Sequence, residues 1–292
     1  MRLGRAELHR VIDLDPFPIP MDFLMPDARA AEMLPHRHVL EPHHVDFAAG
    51  TVLLGLQSFV LQVDGLTILI DACVGEHKER PIRPDWHRRE NTGYLPALAA
   101  AGLRPDDIDI VMCTHLHADH VGWNTKLENG RWVPTFPRAR YLIGALELAH
   151  WEAEERHEPG RHNHGAYADS VLPVIAAGQV ERVSDGFALG QGMRIEALPG
   201  HSPGQIGLDF DCGHGAHALF CGDAFHSPVQ VFRPDWSSRF CADSAAAAAM
   251  RVRLLERSEG EGTLLIPAHI RMAMGLRAAR EGQGFRPVFV DR

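Results

Sequence analysis

The sequence predicts an α/β fold built on sheets, and three observations carry that expectation. Strand-type runs recur between residues 51 and 268, helical stretches are interleaved with them, and the run IDIVMCT at 108–114 is almost continuously apolar. A strand covered on both faces needs such a run, because both sides of its pleat meet other layers. Interleaved strands and helices with no internal repeat and no Gly/Ser linker indicate one α/β unit.

The elements follow in order. Residues 1–45 are rich in proline and histidine and carry an apolar patch around Phe17, Phe23 and Met25. They are read as an N-terminal arm packed on a main domain at 46–292, with a lid or a dimer contact as the alternative reading. SFVLQV and LTILIDA flank Asp64-Gly65, a two-residue hairpin signal. Residues 94–101 read as a short helix stopped by Gly102. Further strands are expected at 140–144, 193–198, 205–210, 217–222 and 263–268. Helices are expected at 145–157, 166–177 and 243–258, the last capped by Asp243 or Ser244 ahead of an alanine run.

Composition narrows the function classes. With 292 residues, 45% of them hydrophobic, the chain can bury a large core, which excludes disorder as its main state. A net charge of −9 disfavours a nucleic-acid partner, which would need a basic face for phosphates. The five cysteines form no C-x-x-C pair, so reduced thiols and a cytoplasmic location are expected. The opening MRLGRAELHRVIDLD lacks the apolar run of a signal peptide, and no run approaches the ~20 apolar residues of a membrane span. The count that stands out is 19 histidines.

Four of the strongest metal-binding side chains fall within six residues, His115, His117, Asp119 and His120, directly after the apolar strand. On a helix, positions i and i+2 point about 200° apart, so His115 and His117 converge on one ion only in a turn leaving a strand end. One zinc ion rarely uses so many donors, because it takes four ligands and keeps one position open when catalytic. Two metals are therefore expected, with ligands added from later strand ends: His201 in LPGHSPG, Asp223 in FCGDAF and His269 in IPAHI.

H-x-H-x-D-H followed by PGHSPG, GD and PAH resembles the metallo-β-lactamase superfamily over roughly residues 50–270. The resemblance implies a four-layer αββα sandwich with a binuclear metal centre at one edge. It implies His115, His117 and His201 on the first metal, Asp119, His120 and His269 on the second, Asp223 bridging, and Asp71 as a supporting aspartate. The branch it resembles holds lactonases, esterases and organophosphate hydrolases. In lactonases of that branch a tyrosine stands three residues after the bridging aspartate; here the position is His226, a candidate for contact with the substrate.

Two look-alikes are set aside. Gly200-His201-Ser202-Pro203-Gly204 fits the G-x-S-x-G elbow, but Pro203 has no N–H for an oxyanion hole and a strand follows instead of a helix. Position 223 is not the cysteine of zinc β-lactamases, which disfavours a dedicated antibiotic hydrolase. The expected chemistry is hydrolysis of a lactone or carboxylic ester, or a phosphotriester, by a hydroxide shared between two divalent ions, with Asp119 and His226 as the catalytic side chains. Zinc is the default metal, and iron, cobalt or manganese suit the same donors. The partner expected is a small-molecule substrate, without nucleic acid or membrane, in a monomer or homodimer. The alternatives are a mononuclear iron dioxygenase and a nucleic-acid-processing phosphodiesterase of the same fold.

Overall fold

The computed structural model describes residues 1–291. Two large sheets stack face to face. The first has eight strands, ordered Arg2–Leu3, Ala6–Pro20, Thr51–Val63, Leu66–Ile70, Ile110–Cys113, Arg140–Gly144 and Val180–Val183, with Val45–Asp46 pairing beside Thr51–Val63. The second has seven, running in sequence order from Ala188–Gly190 to Gly284–Val290.

The period-two pattern of each strand sorts its side chains between two layers. Phe59, Leu61, Ile68, Ile70, Ile110 and Met112 face inward and pack on Ile195, Leu208, Phe210, Phe220 and Ile266 of the second sheet. Their neighbours Val60, Leu69, Val111 and Cys113 face the other way, into a cluster with Tyr94, Leu98, Leu148 and Val174 from the outer helices. A third cluster joins Leu219, Leu265 and Leu276 to Leu254 and Leu255 of the helix Ser244–Glu261. The layers are helix, sheet, sheet, helix, as the sequence leads one to expect. Asp243 caps that last helix by accepting the Ala246 N–H at 2.9 Å. Asp64 and Gly65 both have positive φ, 49° and 86°, which is the conformation a tight hairpin of this twist needs.

The N-terminal 45 residues are more than an arm. Ala6–Pro20 is a 15-residue strand paired along Thr51–Val63, so the first sheet extends where a surface segment was expected. Bulges at Ile12/Leu14 and Leu14/Phe17 break its alternation. Pro16, Pro18 and Pro20 are tolerated because the next strand, Arg2–Leu3, pairs only with Ala6 and Glu7, leaving the proline stretch on an open edge. The expected helix at 166–177 is also divided, into a π turn at Tyr167–Val171 and an α segment at Leu172–Ala176 that carries Pro173. Among the described residues no helix is long and apolar enough to cross a membrane, and the five cysteines are all free.

Both sheets change from antiparallel to parallel pairing where the site forms. Leu66–Ile70, Ile110–Cys113 and Arg140–Gly144 run parallel in the first, and Ala216–Gly222 and Leu264–Pro267 in the second. Their carboxyl ends open on a common crevice, where loops are free to carry chemistry. The strand ends are stitched across the sandwich, Ile206 N–H donating to the Thr114 carbonyl at 2.8 Å. Gly222 makes this approach possible: a Cβ there would lie 2.7 Å from Thr114 Oγ1, and its φ is +51°. Gly222→Ala is therefore expected to cost roughly 2–3 kcal/mol from overlap and backbone strain together. A urea midpoint equal to that of the parent protein would contradict that close packing.

Candidate metal centre

The turn after Ile110–Cys113 is built to aim side chains at one point. His117 precedes the four-residue helix Ala118–Val121 in extended conformation, so His115 and His117 leave the strand end before helical geometry separates them. The sequence-predicted residues converge here. His117 Nδ1 lies 3.0 Å from His115 Nε2 and 2.9 Å from His201 Nε2. Asp119, His120 and His269 form a second group, with Asp119 Oδ2 3.9 Å from His120 Nε2 and 3.7 Å from His269 Nε2. Asp223 stands between them. Its Oδ1 is 3.3 Å from His120 Nε2 and 3.1 Å from His269 Nε2, and its Oδ2 is 3.4 Å from His201 Nε2, 3.9 Å from His115 Nε2 and 3.2 Å from His269 Nε2.

Three of the rings are anchored on their outward side. Asp71, with φ of 58°, accepts the Thr114 N–H at 2.8 Å and the Thr114 hydroxyl at 2.9 Å, and lies 2.9 Å from His120 Nδ1. The early aspartate thus holds the strand end and His120 together from behind. His269 Nδ1 is 3.0 Å from the Gly55 carbonyl, and His115 Nδ1 is 3.1 Å from Thr114 Oγ1. Such bonds fix the ring orientation and leave the opposite nitrogen free for a metal.

The inward atoms behave as an ion site. His120 Nε2 and Asp223 Oδ1 are buried without a hydrogen-bond partner among the described residues, a condition that costs free energy unless something else satisfies them. Burial pushes His115 and His201 well below the usual histidine range, toward the neutral form that binds metals. Burial would lower His120 too, but Asp223, Asp71 and Asp119 raise it well above that range. Burial would raise Asp223, yet His269, His120 and His226 hold it well below the ordinary carboxylate range. The field around the second group therefore favours positive charge, which a divalent cation supplies. Donor chemistry, convergence and unpaired atoms all fit two divalent ions.

His226, reached from the same loop as Asp223, is buried, and its Nε2 lies 3.2 Å from Asp223 Oδ2 without hydrogen-bond alignment. Its backbone N–H donates to Gln230 Oε1 at 2.7 Å. Ser202 is not free to act as a nucleophile, because its hydroxyl donates to Glu147 Oε2 and the chain continues as the strand Ile206–Gly213. Trp123 stacks on Tyr94 at 5.0 Å in the core and does not wall the site. Met25 is likewise core, whereas Phe17 reaches the site and Phe23 stands exposed beside Phe240.

Sequence reasoning passed over Glu147. It lies in the first turn of the helix Ala145–His157, fully buried, and takes the Leu116 N–H at 3.0 Å, the Trp151 indole N–H at 2.7 Å and the Gly204 N–H at 3.0 Å besides Ser202. One carboxylate thereby ties the His115–His117 loop to the His201 loop. Gly204 is needed for this approach, since a Cβ there would lie 2.0 Å from the Glu147 backbone nitrogen. Nothing in a helical glutamate at this position signals such a role.

The centre opens into a cavity of about 270 Å³. Phe17, Ile19, Leu24, Leu54 and Trp86 form its apolar wall, and His117, Asp119, Asp223, His226 and His269 its floor.

Comparison with known proteins places this architecture. The structure superposes on AidC, a dizinc quorum-quenching lactonase bound to a product, with a TM-score of 0.82 at 18% identity, covering 100% of this chain and 97% of that one. AbOPH, a hydrolase in the beta-lactamase superfamily, gives 0.81 at 20% identity, covering 100% and 97%. Among curated proteins, the hydroxyacylglutathione hydrolase of Aeromonas salmonicida is 31% identical over 136 residues, 46% of this chain and 38% of its own length. A "Probable metallo-hydrolase" of Mycobacterium tuberculosis is 27% identical over 129 residues, 43% and 39%. The chain thus spans about two-fifths of the length of the curated relatives it matches. The family model described as Metallo-beta-lactamase superfamily matches residues 53–269, from the second long strand of the first sheet through His269, and the chain belongs to that superfamily.

Proposed function

We propose that the protein is a binuclear metal-dependent hydrolase of lactones or carboxylic esters. The observation that supports it best is Asp223, whose carboxylate lies within 4 Å of histidines from both donor groups at the floor of an apolar-walled cavity. His115, His117 and His201 would hold one divalent ion, zinc by default, and Asp119, His120 and His269 the other. Such a pair supplies Lewis acidity and makes water nucleophilic at neutral pH.

The chain's own residues would do the rest. The Asp119 side chain, 18% exposed, is the carboxylate open to the cavity, placed to take a proton from attacking water. His226 would donate a hydrogen bond to the scissile oxygen, where charge grows in the transition state. Phe17, Ile19 and Leu24 would hold an acyl chain and exclude water. Relatedness in fold to a dizinc lactonase supports this reading. The complete second donor group weighs against a single-iron oxygenase, and the charge of −9 against a nuclease.

The test is metal analysis joined to a screen of lactones, aryl esters and phosphotriesters. Two ions per chain are expected, with ester or lactone turnover abolished by a chelator and restored by zinc. One iron per chain with oxygen uptake, or turnover indifferent to chelation, would refute the assignment.

A further inference from the structure

The loop at 78–90 carries five cations, and four of them are used internally. Lys78 lies 3.6 Å and Arg80 2.7 Å from Asp169 carboxylate oxygens. Arg88 pairs with Glu79 at 2.6 Å, and Arg89 with Asp13 at 2.8 Å. The pairs with Asp169 and Asp13 fasten the loop to the body, and Arg88 with Glu79 braces it internally. Arg83 has no carboxylate within 4.0 Å among the described residues, and it lines the cavity above the metal centre. Its guanidinium lies 5.4 Å from the ring centre of Trp86, 5.6 Å from that of Phe240 and 5.7 Å from that of Phe23. Arg239 also has no carboxylate partner among the described residues and lies 4.2 Å from the ring centre of Phe23, the ring that Arg83 faces as well.

Aromatic faces hold a guanidinium by its plane and leave the N–H edge free to donate. Two such arginines share the Phe23 ring, in a chain whose net charge is −9. Trp86 adds a buried indole N–H without a partner, and His164, 5.8 Å from Trp86, a buried and unpartnered Nδ1. Both line the same cavity. Unpaired buried polar atoms of this kind are costly unless a ligand meets them.

We propose that the cavity mouth is an anion subsite, and that the substrate is an amphiphilic ester or lactone with an anionic oxygen group, carboxylate or phosphate, at the end remote from the scissile bond. This rests on the hydrolase reading above and names the substrate class for the same site. The apolar wall of Phe17, Ile19 and Leu24 would take the intervening chain, and Arg83, with Arg239 beside it on the Phe23 ring, the anion.

The experiment uses two p-nitrophenyl esters of equal acyl length, one methyl-ended and one carboxylate-ended, with the zinc-loaded enzyme. The ratio of their kcat/KM values is expected to favour the carboxylate about tenfold or more, since hydrogen bonds to charged groups are the strong ones. The advantage should fall as salt rises, because the mouth is open to solvent. Arg83→Glu and Arg239→Glu should each lower the ratio, mainly through KM, and together invert it. Arg239 is exposed, so its variant keeps the test alive if Arg83→Glu folds poorly. A phosphate-ended ester separates the two anion sources by its own ratio. Calorimetry of hexanesulfonate, a weak metal ligand, reads the subsite without turnover. Turnover with no charge preference would overturn the anion subsite and keep the hydrolase. Sulfonate binding that depends on Arg83 and Arg239, without turnover of any ester, would keep the subsite and overturn the hydrolase.

Discussion

Asp119→Ala is expected to lower turnover of the best ester by about a thousandfold or more while leaving the fold in place. On the proposed function, the magnitude follows from losing both a donor to the second ion and the open carboxylate that would handle the proton, each of which would carry a large share of the barrier. The fold should survive because Asp119 makes no hydrogen bond to backbone or side chain among the described residues. Its nearest charged neighbours are the rings of His120 and His269 at 3.9 and 3.7 Å. His120→Ala should also abolish turnover, but it strips Asp71 of a partner at 2.9 Å and so carries a stability cost that Asp119→Ala avoids. The measurements are metal content, expected to fall from two ions to one, and the circular dichroism melting curve of the metal-free proteins. Turnover near that of the parent would remove Asp119 from the reaction.

The second large effect is one of stability. Glu147→Ala takes the acceptor away from four donors at once: Leu116 N–H, Gly204 N–H, the Trp151 indole and the Ser202 hydroxyl. Leaving buried donors unpaired is expected to cost roughly 3–5 kcal/mol. Glu147→Gln keeps one oxygen for Leu116 and Trp151 but presents an amide NH2 to Gly204 N–H, which can only donate, so an intermediate loss is expected. Because the two tied loops carry His115, His117 and His201, both variants should also weaken zinc binding by about ten- to a hundredfold. Urea midpoints and competition with a chromophoric chelator read the two effects apart. An alanine variant as stable as the parent would show that the four donors find other partners.

The site was more legible in the sequence than the sheet that carries it. His115, His117, Asp119 and His120 are adjacent in the chain, and His201, Asp223 and His269 each follow a recognisable strand, so the whole donor set could be read from strand-end positions. Ala6–Pro20 could not, because two bulges shift its alternation and three prolines argue against a strand unless its edge is known to be open. The hairpin Gly275–Glu281 with Gly284–Val290 also escaped, lying beyond the last motif. Glu147 and Arg83 were invisible for a different reason. What distinguishes them is which groups surround them in space, the four donors of one and the missing carboxylate of the other, and residues as far as 57 positions from Glu147 and 157 from Arg83 help to supply those surroundings.

The bond between the Gly55 carbonyl and His269 spans 214 residues. In folding terms this makes the second donor group a late structure: its last member and the acceptor that orients it come from opposite ends of the chain. Contacts of such separation form slowly, after the loops between them have closed. The first donor group, complete at His201, can exist earlier. If the chain holds two ions as proposed, they would meet two sites of unequal maturity during synthesis, and full occupancy would report that the final strands have docked.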